Sequence, residues 1–181
     1  MQATETALKG CYIIEPRVFK DDRGYFFESF NQKAFEELIG QNVHFVQDNQ
    51  SFSQYGVIRG IHFQKGAHAQ AKLVRVLEGE VLDVAVDLRE GSPTYGQHVA
   101  VRLNAENNRQ LFVPRGFGHG FSVLSERAVF AYKCDNYYHK ASEGGIVYND
   151  PTLAIDWGIP EEKIQVSEED LLLKEFTKYL N

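Results

Sequence analysis

The chain has 181 residues, of which 43% are hydrophobic and 24% are charged, as expected for a folded globular protein rather than a disordered one. Its 19 basic and 25 acidic residues give a formal net charge of −6, which argues against a nucleic-acid-binding protein. No apolar run approaches the roughly 18 residues that a membrane-spanning helix needs. No secretory signal is visible, and the two cysteines, Cys11 and Cys134, are too few for a disulfide framework, so we expect a cytoplasmic protein with reduced thiols.

Helical spacing occurs near each end of the chain. Phe35, Leu38 and Ile39 predict a short amphipathic helix that Asn31 caps at its start and Gly40 ends. A second helical pattern begins at Ser167 and includes Leu171, Leu172, Phe176, Tyr179 and Leu180.

Between Val43 and Tyr148 the pattern changes to short runs rich in Val, Ile, Phe and Tyr, separated by turn-forming residues. The predicted strands are residues 57–63, 72–77, 80–88, 98–103, 109–113 and 128–134. An aromatic content of 13% agrees with β-structure. The pattern predicts an all-β antiparallel sandwich or barrel, with one domain over residues 1–181, a β-rich body at about 11–157 and a helical tail at about 160–181.

Alternation along the predicted strands directs a histidine, a lysine, an acid and a phenol towards one interior: His62, Lys72, Asp83 and Tyr132. Each has a structural explanation when taken alone, since Lys72 and Asp83 can form an ion pair and Tyr132 can be a core residue. Burying several titratable groups together is costly, and this favours a functional site. The small Gly60 beside His62 is interpreted as room for a ligand.

Three glycines surround His119 between Pro114 and Phe121 and predict a turn that brings an imidazole to a pocket rim. The Pro-x-Gly-x-x-His pattern resembles the second motif of the cupin superfamily. The first cupin motif normally carries His-x-His, but this chain has His62-Phe63-Gln64 at that place. A metal site needs at least three protein ligands, so we expect no catalytic metal.

Five segments in order resemble the dTDP-4-dehydrorhamnose 3,5-epimerase family. They are DRGYFFE at residues 22–28, QDNQS at 47–51, RGIHFQ at 59–64, KLVRV at 72–76 and PRGFGHGF at 114–121. The resemblance runs from about residue 11 to residue 157 and continues weakly into the tail. It implies a homodimeric, cupin-like jelly roll without metal or organic cofactor. It also implies inversion of C3 and C5 of dTDP-4-dehydro-6-deoxy-D-glucose, with a dTDP-sugar as the ligand.

The resemblance implies a role for each of four residues in catalysis. His62 is the general base, Tyr132 the acid on the opposite face of the sugar ring, Lys72 the cation beside the C4 enolate, and Asp170 the partner that orients His62. Asp170 also fits a helix-cap acid paired with Ser167, which leaves Asp83 as the alternative partner of His62.

The positions that match nucleotide-binding residues of the family are Arg23, Glu28, Gln47, Asn49, Arg59, His119 and Glu143, and Tyr138 matches a residue that stacks on thymine. Strict alternation puts Arg59 and His62 on opposite strand faces, so Arg59 reaches the ligand only through a bulge or by serving a partner subunit. Family members often carry Lys-Asp where this chain has Glu169-Asp170, which puts one nucleotide contact in doubt.

Three other functions stay open at this point. A single-position (C3 or C5) epimerase shares the same base and acid. A metal-dependent cupin enzyme predicts bound iron, manganese or zinc. A non-catalytic sugar-nucleotide-binding jelly roll predicts binding without hydrogen exchange.

Overall fold

The computed structural model describes residues 1–179. Within this range the chain forms thirteen strands: β1 (Gln2–Glu5), β2 (Tyr12–Glu15), β3 (Phe19–Asp21), β4 (Gly24–Phe26), β5 (Gln47–Gln54), β6 (Ile58–Gln64), β7 (Lys72–Glu78), β8 (Glu80–Asp87), β9 (His98–Asn104), β10 (Gln110–Val113), β11 (Phe117–Val123), β12 (Arg127–Cys134) and β13 (Glu143–Gly145). The α-helices are α1 (Gln32–Ile39) and α2 (Glu168–Leu171), and short 3-10 helices lie at Gly66–His68, Lys140–Ser142, Glu161–Lys163 and Phe176–Tyr179.

Two antiparallel sheets face each other. The six-stranded sheet has the order β1-β2-β10-β7-β12-β5, and the five-stranded sheet has the order β13-β6-β11-β8-β9. The strands β3 and β4 form a separate hairpin. This arrangement is a jelly-roll sandwich, as the sequence predicts.

The main core lies between the sheets, where Val74 and Phe130 of the six-stranded sheet meet Ala85 and Phe121 of the five-stranded sheet. A second cluster covers the outer side of the five-stranded sheet with residues from the C-terminal segment, including Trp157. Burial of these apolar side chains is the main force that holds the layers together.

Helix α1 covers the outer side of the six-stranded sheet through the fully buried Phe35 and through Ile39. The side chain of Asn31 accepts a hydrogen bond from the Ala34 N–H at 3.1 Å, which satisfies one of the free donors at the helix start. Gly40 ends the helix with φ of 65°, a left-handed conformation that glycine adopts at low cost. The predicted helix and both of its ends are therefore confirmed.

All six predicted strands are confirmed, with ends that differ by at most one residue. The sequence did not predict β1 to β4, nor β5, whose residues are mostly polar because one face of this edge strand is exposed.

The predicted turn forms at residues 115–116, where Gly116 has φ of 84°, but His119 itself lies in the middle of β11 and is buried. The two glycines beside His119, Gly118 and Gly120, are explained by close packing rather than by a turn. A Cβ at Gly118 would lie 2.5 Å from Cγ2 of Ile61, and one at Gly120 would lie 2.7 Å from the carbonyl oxygen of Arg59.

The prediction of a continuous helix from Ser167 is wrong. Helix α2 has four residues, after which the Val147 N–H donates to the Lys174 carbonyl and the Phe176 N–H donates to Asp150. These contacts draw the backbone away from a helical path. Among the predicted apolar positions Phe176 is buried, Leu171 and Leu172 are exposed, and Leu180 lies outside the described residues.

Candidate active site

A bulge in β6 brings two predicted site residues to the same side of the sheet. His62 pairs with His119 and Arg59 pairs with Phe121, so two β6 residues lie opposite Gly120 alone. The extra residue reverses the alternation, and both Arg59 and His62 line one cavity. A bulge is one of the two ways in which the sequence allows Arg59 to reach a ligand.

Gly60 lies within this bulge for a different reason from the one predicted. It has φ of 117°, and a Cβ there would lie 2.6 Å from Cα of Gly120. Close approach of β11, rather than room for a ligand, therefore requires glycine at this position.

A cavity of about 480 Å³ lies between the two sheets. The predicted site residues that line it are Arg59, His62, Lys72, His119, Tyr132 and Asp170. His62 and His119 come from the five-stranded sheet, whereas Lys72 and Tyr132 come from the six-stranded sheet. A ligand held between them would meet different chemical groups on its two faces.

Asp170 is buried beside His62 at the edge of this cavity. Its Oδ1 is 2.6 Å from Nε2 of His62, and its Oδ2 accepts the Gly60 N–H at 3.2 Å. An ionised carboxylate only accepts hydrogen bonds, so Nε2 donates and Nδ1 is the ring nitrogen free to take a proton. Burial alone would raise the pKa of Asp170, but the hydrogen bonds from His62 and Gly60 outweigh it and hold the pKa below its usual value.

The cap at the start of α2 supports the same contact. Ser167 accepts the Asp170 N–H at 3.1 Å, which fixes the backbone while leaving the carboxylate to His62. Asp170 is thus both a helix-cap acid and the partner of His62, two interpretations that the sequence presented as alternatives.

The opposite wall carries a half-buried amine and a half-buried phenol. Nζ of Lys72 lies 5.7 Å from the centroid of the Tyr132 ring. Burial lowers the pKa of Lys72, and the nearby Cys134, Asp83 and Glu143 oppose that change. Burial raises the pKa of Tyr132, so this phenol keeps its proton at neutral pH and can donate it.

Asp83 contacts a different histidine from the one considered in the sequence. It is fully buried, and its Oδ1 lies 2.9 Å from Nε2 of His119. The ion pairs of the described residues include this contact but none between Asp83 and Lys72. Each histidine in the cavity therefore has its own carboxylate.

A second cavity of about 320 Å³ adjoins the first, and His62, Lys72 and Tyr132 line both. Its other walls include four predicted nucleotide-binding residues: Gln47, Asn49, Tyr138 and Glu143. The Tyr138 hydroxyl donates to Oε2 of Glu143 at 3.0 Å, and its ring is 55% exposed. An exposed aromatic face at a cavity mouth suits stacking on a nucleobase.

Two residues that the sequence did not indicate hold these side chains in place. Ser53 accepts a hydrogen bond from Nε of Arg59 at 3.0 Å. Gln64 donates to the carbonyl oxygens of His68 and Tyr137 and so fixes the loop before Tyr138. The sequence signal for Gln64 is a polar residue directly after a predicted strand, and the structure shows that its side chain is buried.

Two of the predicted contact positions, Arg23 and Glu28, lie outside both cavities. Arg23 pairs with Asp21 at 2.6 Å and its side chain is 90% exposed. Glu28 accepts a hydrogen bond from Asn31. Glu169 does line the larger cavity.

Residues 1–179 contain no group of three or more His, Cys, Asp or Glu side chains placed to hold a metal ion. In the same part of the chain, no helix is long and apolar enough to cross a membrane. The two cysteines are buried and unpaired.

The fold and the cavity together define a jelly-roll protein with titratable side chains on opposite walls of a cavity between its sheets. The family model described as dTDP-4-dehydrorhamnose 3,5-epimerase matches residues 5–178. The chain belongs to the dTDP-4-dehydrorhamnose 3,5-epimerase family, which confirms the resemblance read from its five segments.

Individual relatives agree with this assignment. A dTDP-4-dehydrorhamnose 3,5-epimerase of Salmonella typhimurium is 58% identical over 157 residues, which are 87% of this chain and 86% of that protein. The crystal structure of the enzyme of that name from Elizabethkingia anophelis is 61% identical, with a TM-score of 0.95 over 98% of this chain and 97% of the other. A dTDP-6-deoxy-D-glucose-3,5-epimerase from Legionella pneumophila, in complex with dTDP-4-keto-L-rhamnose, is 53% identical, with a TM-score of 0.93 over 97% and 93% of the two chains.

Proposed function

We propose that this chain is an isomerase that inverts C3 and C5 of dTDP-4-dehydro-6-deoxy-D-glucose and yields dTDP-4-dehydro-β-L-rhamnose. One observation carries the proposal. His62 with Asp170 lies on one wall of the cavity, and Tyr132 with Lys72 lies on the other. Inversion at a carbon requires that a proton leave one face and another arrive on the opposite face, and this arrangement supplies both groups.

His62 removes the proton. A C–H next to the C4 ketone is acidic because the electron pair that is left moves onto the ketone oxygen. Asp170 holds the Nε2–H of His62, which presents Nδ1 as the basic atom and stabilises the imidazolium that forms. The same pair serves C3 and C5 in turn, since both carbons flank C4.

Lys72 stabilises the enolate. Its ammonium sits in a partly dry cavity where a positive charge interacts strongly with a developing oxyanion. The chain thereby meets the electrostatic requirement of the step with a side chain of its own, and the proposal includes no cofactor.

Tyr132 returns the proton on the opposite face. Its hydroxyl makes no hydrogen bond with another described residue, and its raised pKa keeps the proton available until the carbanion forms. Solvent then restores the proton of Tyr132 and takes the one from His62, so the enzyme ends the cycle unchanged.

The smaller cavity takes the nucleotide. Tyr138 stacks on the thymine, while Gln47, Asn49 and Glu143 supply hydrogen-bonding groups around it. Arg59 and His119 lie in the larger cavity, where a planar guanidinium and an imidazole can hold the diphosphate.

A homodimer accounts for the two predicted contacts that lie outside the cavities. The hairpin β3–β4 exposes Phe19, Tyr25 and Phe26 at 51%, 62% and 71%. Exposed aromatic clusters of this kind mark interfaces, and Arg23 lies in the same hairpin. We infer that the hairpin covers the partner's site and brings Arg23 and Glu28 to its nucleotide. Sedimentation of the purified protein tests this; a monomer at assay concentration would contradict it.

The chain acts as one domain in the cytoplasm. The C-terminal segment supplies Asp170 to a site built by the sheets, so body and tail depend on each other. Free buried thiols suit a reducing compartment.

Proton NMR of the dTDP-4-dehydro-6-deoxy-D-glucose incubated with the protein in deuterium oxide tests the function. We expect deuterium at both C3 and C5 together with inversion at both carbons. Exchange at one carbon would make it a single-position epimerase, and binding without exchange would make it a non-catalytic binding protein. Metal analysis of the active protein separates it from a metal-dependent cupin enzyme.

Two variants test the assigned roles in the same assay. His62→Ala abolishes exchange at both carbons, whereas Tyr132→Phe retains more exchange than inversion because proton removal survives. His44→Ala is the matched control, since His44 is exposed and lines neither cavity. Turnover of His62→Ala at the rate of the unmodified protein would refute the mechanism.

A further inference from the structure

One carboxyl oxygen of Asp83 is buried without a hydrogen-bond partner. Among residues 1–179, the buried side-chain polar atom without a hydrogen-bond partner is Oδ2 of Asp83. The whole residue is 0% exposed. A buried acceptor left unpaired costs free energy, more so when it belongs to a charged group, so its presence needs an explanation.

The position of Asp83 puts this charge directly behind the proposed catalytic site. It pairs in register with Phe121 and contacts His119, and both of those residues line the larger cavity while Asp83 itself does not. Its neighbours on the same strand face, Val81 and Ala85, belong to the apolar core. The carboxyl group therefore lies just beneath the cavity wall, between apolar side chains and His119.

Lys72 faces it from the other sheet. Lys72 lines the larger cavity, and Nζ of Lys72 makes no ion pair with any described carboxylate. Val74, its neighbour on the same strand face, packs in one core cluster with Val81 and Ala85, the neighbours of Asp83. The titratable and charged groups around this amine, taken over every element that packs against it, are Arg59, His62, Asp83, His119, Tyr132, Cys134, Glu143, Glu169 and Asp170. Asp83 is the fully buried acid in that set.

We propose that Asp83 is a positioning residue for the epimerisation: its Oδ1 fixes His119 at the cavity wall, and its carboxylate, buried across the core from Lys72, keeps the amine of Lys72 in the cationic form that the enolate requires. The proposal rests on the proposed function. A charge in a low-dielectric interior acts at longer range than one in water, which is why Asp83 affects Lys72 without a direct hydrogen bond.

The sign of the effect follows from the chemistry. Burial lowers the pKa of Lys72, and the negative charge of Asp83 raises it again. Replacement of Asp83 by asparagine keeps the shape and removes the charge, so the pKa of Lys72 falls. The ammonium is then lost at a lower pH, and activity declines earlier as the pH is raised.

The test is the pH dependence of solvent exchange at C3 and C5 in the full-length protein and in Asp83→Asn. We expect the decline on the alkaline side to move to lower pH in the variant, with a rate about tenfold lower there relative to its own maximum, as a change of about one pH unit would give. If the exchange rate of Asp83→Asn were lower by the same factor at every pH, with the decline at high pH unmoved, the proposal would be overturned and Asp83 would have only a structural role.

Asp87→Asn is the matched control. Asp87 is fully buried on the same strand and the same face, but it contacts Arg89, Ser92 and Thr94 away from the cavity. We expect this variant to lose stability with its alkaline limb unchanged. An equal shift of the limb in Asp87→Asn would overturn the assignment to Asp83.

A second measurement needs no activity. Acetylation of Lys72 by acetic anhydride, followed as a function of pH by mass spectrometry of the digested protein, reports the free amine directly. Lys72 should become reactive at lower pH in Asp83→Asn than in the unmodified protein, and coincident curves would overturn the proposal. If the unmodified protein shows no exchange at all, the proposed function fails, while the labelling curves still report whether Asp83 controls the charge of Lys72.

Discussion

The contact between Asp170 and His62 makes Asp170→Asn an informative substitution. The carboxylate accepts two N–H groups, from His62 at 2.6 Å and from Gly60 at 3.2 Å. Asparagine has one acceptor oxygen and one donor NH₂, so it can satisfy only one of these two partners. If the oxygen faces Gly60, the NH₂ group faces Nε2 of His62. The ring must then carry its proton on Nδ1, the atom that we propose as the base.

The magnitude follows from that exchange of tautomers. In most molecules of the variant Nδ1 already carries a proton and cannot accept another. The imidazolium that does form lacks the negative charge of Asp170 beside it. General base catalysis by a positioned side chain contributes about 10²–10⁴-fold. We therefore expect kcat for C3 and C5 exchange to fall about 10³-fold, which corresponds to about 4 kcal/mol of transition-state stabilisation. KM should change little, because Asp170 contacts His62 rather than the nucleotide cavity.

The assay is solvent exchange followed by proton NMR at saturating sugar nucleotide, with the free energy of unfolding measured in parallel. Glu168→Gln is the control, since Glu168 is an exposed acid in the same turn of α2 and lines neither cavity. A rate for Asp170→Asn above about a tenth of the unmodified rate would refute the argument from hydrogen-bond geometry.

Three further predictions concern stability. Phe35→Ala should lower the free energy of unfolding in urea by about 3–5 kcal/mol, because Phe35 is fully buried and packs against Phe45 and Phe112. Gly118→Ala should lower it by about 1–3 kcal/mol, since the new Cβ would lie 2.5 Å from Ile61, and an unchanged midpoint would contradict that packing. Burial would raise the pKa of Asp87, but hydrogen bonds from Arg89, Ser92 and Thr94 hold it well below the usual value. Its stabilisation is therefore present above about pH 4 and lost as the pH falls, so Asp87→Asn should flatten the acid part of a stability–pH curve.

The strands that are readable from the sequence are those with a continuous apolar signal. The strands β7 and β8 are bounded by glycine or charged residues and are rich in valine, so pattern alone locates them. The strand β5 has no such signal, because as an edge strand it pairs on one side only and keeps one face exposed. The sequence does not predict that Gly118 and Gly120 lie in a strand, because the pattern cannot distinguish a glycine that forms a turn from one that permits close packing.

The site residues also divide into those that the strand pattern places and those that depend on tertiary packing. Lys72 and Tyr132 lie on strands with regular alternation, and the sequence places both on the interior face as the structure does. Arg59 was ambiguous because a single extra residue in β6 reverses the face of everything before it, and the bulge arises from contact with β11 far along the chain. The choice between Asp83 and Asp170 depended on the same tertiary packing, since both acids are buried and each has a histidine within reach.

The division of the site between two sheets explains how a rigid scaffold can invert a carbon centre. Hydrogen-bonded strands hold His62 on one wall and Tyr132 and Lys72 on the other, so the opposed geometry exists before the ligand arrives. Asp170 is the proposed catalytic-site residue that comes from helix α2 rather than from a sheet, and backbone hydrogen bonds join the segment before α2 to β6 and to the residues before it. The Ile58 N–H donates to the Gln165 carbonyl at 2.9 Å, and the Gln165 N–H donates to Gly56 at 2.9 Å. Because this tether lies beside the strand that carries His62, we expect any movement of β6 to carry the proposed base and its proposed orienting acid together, so that their hydrogen bond is kept during both proton transfers.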